Sequence, residues 1–231
     1  RRLFALIISM FLRLIVRTAQ RSGLCLLLTL LVQMPVQAID ETPQTVLVLG
    51  DSISAGYGMT LEQGWVALLD ERLAKQSPPW QAINASISGD TTGGGLRRLP
   101  ALLAKHHPDI VIIELGGNDG LRGYPIKQLQ QNLKAMTELA QESDAQVLIL
   151  GMEIPPNFGE RYTQLFRSVF SDVADVQQVA YGGFMLAGVA TNPTLMQADG
   201  IHPTASAQPI LVNNVWGALQ PLLGGPRPGS N

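Results

Sequence analysis

Thr45 to Ser54 reads TVLVLGDSIS, an apolar β-forming run that ends abruptly in Gly50-Asp51-Ser52, with Gly56 and Gly58 close behind. A buried strand that stops in a small-residue turn lifts one hydroxyl out of the sheet edge. In α/β folds the carboxyl edge is where ligands bind, which makes Ser52 a candidate nucleophile. Serine after a strand is also a common helix N-cap, so the hydroxyl alone does not decide. Three distant segments bear on the choice: Ser88-Gly89-Asp90, Gly116-Gly117-Asn118-Asp119 and Asp199-Gly200-Ile201-His202-Pro203.

The chemistry of these segments is complementary. A serine hydroxyl is a weak nucleophile until a base takes its proton. His202 is the natural base, because imidazole titrates near neutrality. Asp199, three residues earlier, can hold the imidazole Nδ1–H on a tight turn, fix its tautomer and stabilise the imidazolium. A tetrahedral intermediate needs donors for its oxyanion. The backbone N–H groups of Ser52 and Gly89 can give two, and the Asn118 amide a third.

Each residue also has a plainer reading. Gly89 can be a turn residue that needs a positive φ. Asn118 and Asp119 have the composition of an ordinary turn, and Asp119 reads as structural. Asp51 reads as a loop organiser, and Asp199 can begin a helix. His106 and His107, in KHHP, suit a solvated helix end, where a positive side chain complements the dipole.

These segments must be positioned by the elements between them. Apolar β-runs over Val46–Leu49, Ala82–Ile87, Ile110–Ile113 and Val147–Leu150 alternate with helix-period segments. The predicted helices are Trp65–Lys75, Leu96–Ala104 (stopped by Pro108), Leu129–Ala140, Tyr162–Val173 and Ala205–Leu222, the last tolerating Pro209 in its first turns. Alternation of this kind implies βαβ units and a mostly parallel sheet covered on both faces. Loops at one edge of such a sheet can converge although they are far apart in sequence. No internal repeat or interdomain linker is present.

The first 38 residues read as a cleaved signal segment. Arg1 to Arg21 holds five arginines and no acids, Leu24 to Val32 is an apolar run, and Val36-Gln37-Ala38 gives a small-residue processing pattern. The run is shorter than the roughly 20 residues of a membrane span, so no stable anchor is expected after cleavage. Export to the periplasm or beyond follows. Cys25, the single cysteine, follows Leu24 and not the small residue a lipid-acceptor site prefers. Residues 39–223 then form one domain, with a Gly/Pro-rich, frayed tail over 224–231. That domain has no cysteine, which excludes disulfides, a thiol nucleophile and cysteine-based zinc sites. Loss of the leader's arginines lowers the formal charge from −2 to −7. An acidic surface argues against nucleic acid and against highly anionic ligands such as acyl-CoA. No metal or cofactor is expected, and the expected state is a monomer acting on small molecules.

GDSIS at 50–54, Gly89, GGND at 116–119 and DGIH at 199–202 together resemble the blocks of the SGNH (GDSL) hydrolase family across the whole mature chain. NASISGDT at 84–91, ELGGNDGLRG at 114–123 and DGIHP at 199–203 resemble its secreted bacterial thioesterase, lysophospholipase and arylesterase branch. The resemblance implies a flavodoxin-like three-layer α/β/α sandwich with a mostly parallel five-stranded sheet and a shallow, open site. By position it makes Ser52 the nucleophile, Gly89 and Asn118 oxyanion donors, and Asp199 and His202 the rest of the triad.

The implied activity is hydrolysis of carboxylic esters and thioesters through an acyl-enzyme: aryl esters, medium- or long-chain acyl esters and lysophospholipids. In that branch the loop after the oxyanion asparagine borders the acyl groove. Gly120 and Gly123 are expected to let it move, Leu121 and Tyr124 to give apolar surface, and Ile154, Pro155 and Phe158 to form the other wall. A carbohydrate O-deacetylase of the same fold and a non-enzymatic anion-binding module are the alternatives.

Overall fold

Strand β1 (Gln44–Gly50) divides its side chains between two separate cores: Val46 and Val48 enter one, Leu47 and Leu49 the other. Period-two alternation with apolar residues on both sides is what a doubly covered strand requires. Strands β3 (Ile110–Glu114) and β4 (Gln146–Gly151) repeat the pattern, with Ile110 and Ile112 opposed to Val111 and Ile113, and Leu148 and Leu150 opposed to Val147 and Ile149. The computed structural model describes residues 43–224. The expected signal segment over 1–38 lies outside the described residues, as does the expected tail beyond Gly224.

Helices α1 (Trp65–Leu73) and α6 (Gln208–Leu219) cover the Val46 face. Helices α2 (Thr92–His106), α4 (Ile126–Glu142) and α5 (Glu160–Gln177) cover the Leu47 face, and α3 (Gly117–Leu121) is a short helix after β3. In α5, Phe166 and Phe170 are fully buried edge to face with ring centroids 5.3 Å apart. Such a pair adds about 0.5–1.5 kcal/mol beyond its area burial.

With β2 (Trp80–Asn84) and β5 (Ala180–Phe184), the sheet order is β2-β1-β3-β4-β5, every pair parallel. The chain therefore winds one way from β1 to β2 and the other way from β3 onward. The crevice between the carboxyl ends of β1 and β3 is the topological switch point of this order.

Three expectations are corrected, and one strand had no sequence signal. The second strand ends at Asn84, not Ile87; beyond it the Ala85 and Ile87 N–H groups still donate to Val48 and Gly50 carbonyls. Helix α2 begins at Thr92, four residues earlier than its apolar period, because Thr91 caps it by accepting the Gly94 N–H. Its three glycines are poor helix formers, but contact demands two of them: a Cβ on Gly94 would run into the Asp90 carboxylate, and one on Gly95 would lie 2.3 Å from Leu115 Cδ1. The predicted last helix is three pieces, with short 3₁₀ turns over Ala205–Ala207 and Gln220–Gly224 flanking α6. Strand β5, AYGGF, has no apolar run; Gly182 packs so closely on Leu150 that a Cβ would lie 2.5 Å away.

Candidate active site

The turn that carries Ser52 follows directly from the end of β1. Gly50 has no room for a side chain, since a Cβ would lie 2.5 Å from Glu114 Oε2 and 2.6 Å from Ser54 Oγ. The chain then makes one helical turn, with Ala55 N–H donating to Asp51 O and Tyr57 N–H to Ser52 O. Capping within this turn falls to Asp51, whose Oδ1 accepts the Ile53 N–H at 3.0 Å. Ser52 Oγ has a different partner: His202 Nε2, at 2.8 Å.

His202 belongs to a loop that follows no strand directly. That loop folds back on itself through an antiparallel bridge between Met196 and Pro203 and a Gln197 N–H to His202 O bond of 2.7 Å. Asp199 organises its tip: Oδ1 accepts the Ile201 and His202 N–H groups, and Oδ2 lies 2.7 Å from His202 Nδ1. The His202 backbone N–H, its ring and the Ile201 N–H together lower the Asp199 carboxyl to about 2. An ionised carboxylate can only accept, so Nδ1 carries a proton and donates, leaving Nε2 to accept from the Ser52 hydroxyl. The Tyr57 ring lies against the imidazole, centroid to centroid 4.2 Å.

The segments that carry the proposed oxyanion donors are bonded to the end of β1 and its turn: Ile87 N–H donates to Gly50 O, and Asn118 to Asp51. Among the described residues, neither the Ser52 nor the Gly89 N–H has a hydrogen-bond acceptor. Gly89 has φ +78°, a conformation other residues rarely adopt. Asn118 Nδ2 donates to Asp51 Oδ2 at 3.1 Å, which orients the amide and commits one of its two N–H groups. Arg122 Nη2 donates to Gly89 O at 3.1 Å and so joins the loop after Asn118 to the Gly89 turn.

Beneath the turn are two buried carboxyls. Glu114 is fully buried; its Oε2 accepts the Asp51 N–H at 3.1 Å and the Ser54 hydroxyl at 2.5 Å, and its Oε1 has no partner. Ser54 Oγ in turn accepts the Trp65 indole N–H at 3.1 Å. Burial, and then the neighbouring Asp51 charge, push the Glu114 carboxyl well above its ordinary value. Burial also raises Asp51 to about 6, against the opposing pull of the Ile53 N–H, His202 and Asn118. The proton therefore favours Glu114, and Asp51 stays an acceptor for Asn118 above about pH 6.

The structure separates the substrate-groove candidates. Gly120 and Ile154 are buried behind the site: a Cβ on Gly120 would lie 2.6 Å from Phe166 and 2.7 Å from Ile154. Gly120 is thus a packing glycine inside α3, not a hinge. Gly123, φ +65° with nothing around it, is the residue of that loop with open space. Leu121 is half-buried, Tyr124 and Pro155 are exposed, and Tyr162 Oη donates to Tyr124 O at 2.8 Å. Phe158 lines an open groove of about 470 Å³ with Gly159, Glu160, Arg161, Tyr162 and Leu165. Asp119 binds Thr92 through both carboxylate oxygens, at 2.9 and 2.5 Å, and joins α3 to α2.

Sequence reasoning passed over Glu114, Arg98 and Gln197. Arg98 pairs with Asp90 at 2.8 Å, binds Ala85 O and reaches Gly50 O at 3.2 Å, so one guanidinium ties β1 to the Gly89 turn. Its signal was a charge within the otherwise apolar period of α2.

A flavodoxin-order parallel sheet, with a serine, histidine and aspartate linked in series at its carboxyl edge, defines a class of α/β hydrolase. Residues 48–208 match the GDSL-like lipase/acylhydrolase family, and the chain belongs to that family. It is 53% identical over 199 residues to Esterase TesA of Pseudomonas aeruginosa, a match covering 86% of this chain and 96% of that protein. It is also 46% identical to an arylesterase of Vibrio mimicus (79% and 92% covered). To the thioesterase 1/protease 1/lysophospholipase L1 of Escherichia coli K12 the identity is 41% (78% and 85% covered). Among solved structures, TesA superposes with TM-score 0.76 at 55% identity, over 78% of this chain and 99% of that one. The psychrotrophic esterase EstA from Pseudoalteromonas, inhibited by monoethylphosphonate, gives 0.75 at 41%, over 79% and 100%.

Proposed function

We propose that this chain hydrolyses carboxylic esters and thioesters through an acyl-enzyme on Ser52. The observation that carries the reading is the continuous hydrogen-bond series from Ser52 Oγ through His202 to Asp199, 2.8 and 2.7 Å. Ser52 Oγ attacks the carbonyl carbon as its proton passes to His202 Nε2, and Asp199 stabilises the imidazolium. The Ser52 and Gly89 N–H groups and the second Asn118 N–H hold the oxyanion. Collapse expels the alcohol or thiol, which takes the proton from His202. Water, deprotonated by His202, then attacks the acyl-enzyme and releases the acid.

Relatives that are an esterase, an arylesterase and a thioesterase/lysophospholipase support small-molecule ester and thioester substrates. Medium- or long-chain acyl esters and lysophospholipids fit the apolar groove at Phe158, Tyr162 and Leu165. The basic and apolar leader over 1–38 supports export to the periplasm or beyond. No helix among the described residues is long and apolar enough to cross a membrane.

The test is covalent. A fluorophosphonate should label the folded protein at Ser52, and Ser52→Ala should abolish the label. An unlabelled wild-type protein would overturn the nucleophile assignment. A chain-length series of p-nitrophenyl esters, beside a lysophospholipid and acetylated xylan, then ranks the substrates.

A further inference from the structure

The histidine and the serine lie on separate loops, and only the serine's loop grows directly out of a strand. β5 ends at Phe184, and the chain runs through a turn region before it reaches Asp199. The Met196–Pro203 bridge and the Gln197–His202 backbone bond keep the histidine loop folded, but they do not fix it relative to the nucleophile turn. Something else must set the gap that the reacting proton crosses.

The side chain of Gln197 spans that gap. Its Nε2 donates to Tyr57 O at 2.8 Å, on the nucleophile turn, and to Pro203 O at 3.1 Å, next to His202. Both N–H groups of one primary amide are therefore spent on two carbonyls from the two loops. A carboxylate of the same size could supply no donor. Tyr57 is itself tied to Ser52, through its N–H to Ser52 O at 3.1 Å, and its ring lies on His202. Space for the amide comes from Gly58, where a Cβ would lie 2.4 Å from Gln197 Oε1. On the other side Gln208 makes a second tie, accepting the Trp65 N–H at 2.9 Å and donating to Thr204 O at 3.1 Å. That tie reaches the Ser52 turn only indirectly, through the Trp65 indole N–H on Ser54 Oγ, whereas Gln197 bonds the turn's own backbone.

We propose that Gln197 is a positioning residue for the hydrolytic reaction: its amide sets the distance and direction from Ser52 Oγ to His202 Nε2. The proposal rests on the reading of Ser52 and His202 as nucleophile and base. Gln197 touches neither the substrate nor the reacting atoms, so its loss affects the rate of acylation and leaves substrate binding in place.

The experiment compares wild type, Gln197→Leu and Gln197→Ala with p-nitrophenyl butyrate and with a fluorophosphonate, alongside thermal melting. A misplacement on the order of 1 Å costs roughly 10²-fold, so kcat should fall by about 10–100-fold with KM within about twofold. Fluorophosphonate labelling should slow by the same factor, with little change in the melting transition. Gln197→Glu keeps the size of the side chain and removes both donors, and should slow labelling by a similar factor even if the apolar Gln197 variants fold poorly. Labelling at the wild-type rate in Gln197→Leu would overturn the proposal. So would a loss of kcat that only tracks loss of folded protein, or one that appears wholly in KM. Failure of wild type to label would remove the nucleophile reading itself, a separate result.

Discussion

The bond from Ser52 to His202 makes two side chains one chemical unit, and units of this kind fail together. Ser52→Ala or His202→Ala should lower kcat by at least about 10³-fold, and the double variant by little more. Steady-state kinetics on the three proteins checks this; additive losses would separate the pair. Asn118→Ala should cost about 10²–10³-fold in kcat with a small change in KM, because its amide acts on charge that develops only in the transition state. The buried carboxyls give a pH signature of their own. Glu114 and Asp51 are harder to ionise in the folded chain than in the unfolded one. Each therefore stabilises the fold at low pH and loses that contribution as pH rises, Asp51 between 3.8 and about 6 and Glu114 from 4.5 upward. Asp199 runs the opposite way: its contribution is present above 3.8 and disappears as pH falls towards about 2. Urea unfolding from about pH 5 to about pH 8 should show wild type losing stability with a steeper slope than Glu114→Gln, which cannot ionise. Equal slopes would mean that Glu114 is not the group holding the proton.

At the scale of elements, the site is built from strand ends and the contacts that aim them. Short α3 carries Asn118, and its placement depends on Gly120 seated against Phe166 and Ile154. Gly120→Ala should destabilise the fold by about 1–3 kcal/mol through overpacking. It should also lower kcat by displacing Asn118; calorimetry and kinetics on one preparation read both effects. Wild-type stability in this variant would show that α3 has room to shift. The element pattern was legible wherever burial was continuous. Val46–Leu49, Ile110–Ile113 and Val147–Leu150 read as strands because apolar side chains on both faces are the mark of a doubly covered sheet. The start of α2 and all of β5 were not legible, because glycines chosen for close approach remove the side chains on which periodicity depends. Glu114 was hidden for a related reason: a carboxyl ending an apolar strand looks like the beginning of a loop until Gly50 and Ser54 are seen against it.

For the whole molecule, the order β2-β1-β3-β4-β5 puts Ser52 and Asn118 on either side of the switch point, after adjacent strands. Both hydrophobic cores described above are made of residues within 43–224. A protein beginning at Ile39 should therefore fold and keep full esterase activity, measurable by circular dichroism and ester turnover. Fused to a reporter that is active only outside the cytoplasm, residues 1–38 should direct its export, and removing them should abolish the signal. An unfolded or inactive truncated protein would show that the leader belongs to the domain.

By itself the sequence determined which groups are the candidates for the chemistry and the alternation of strand and helix. Both depend on local chemistry: a hydroxyl, an imidazole, a carboxylate and an amide in small-residue turns, and apolar side chains at periods that only buried elements need. The tertiary structure alone decided how those groups are aimed. It turned Ser52 Oγ to His202 rather than to a capped N–H, gave Asn118 an acceptor in Asp51, and joined the histidine loop to the Ser52 turn through Gln197. Such contacts link residues 67 to 150 positions apart. No local pattern encodes pairs so distant, because their geometry exists only once the sheet has brought the loops to one edge.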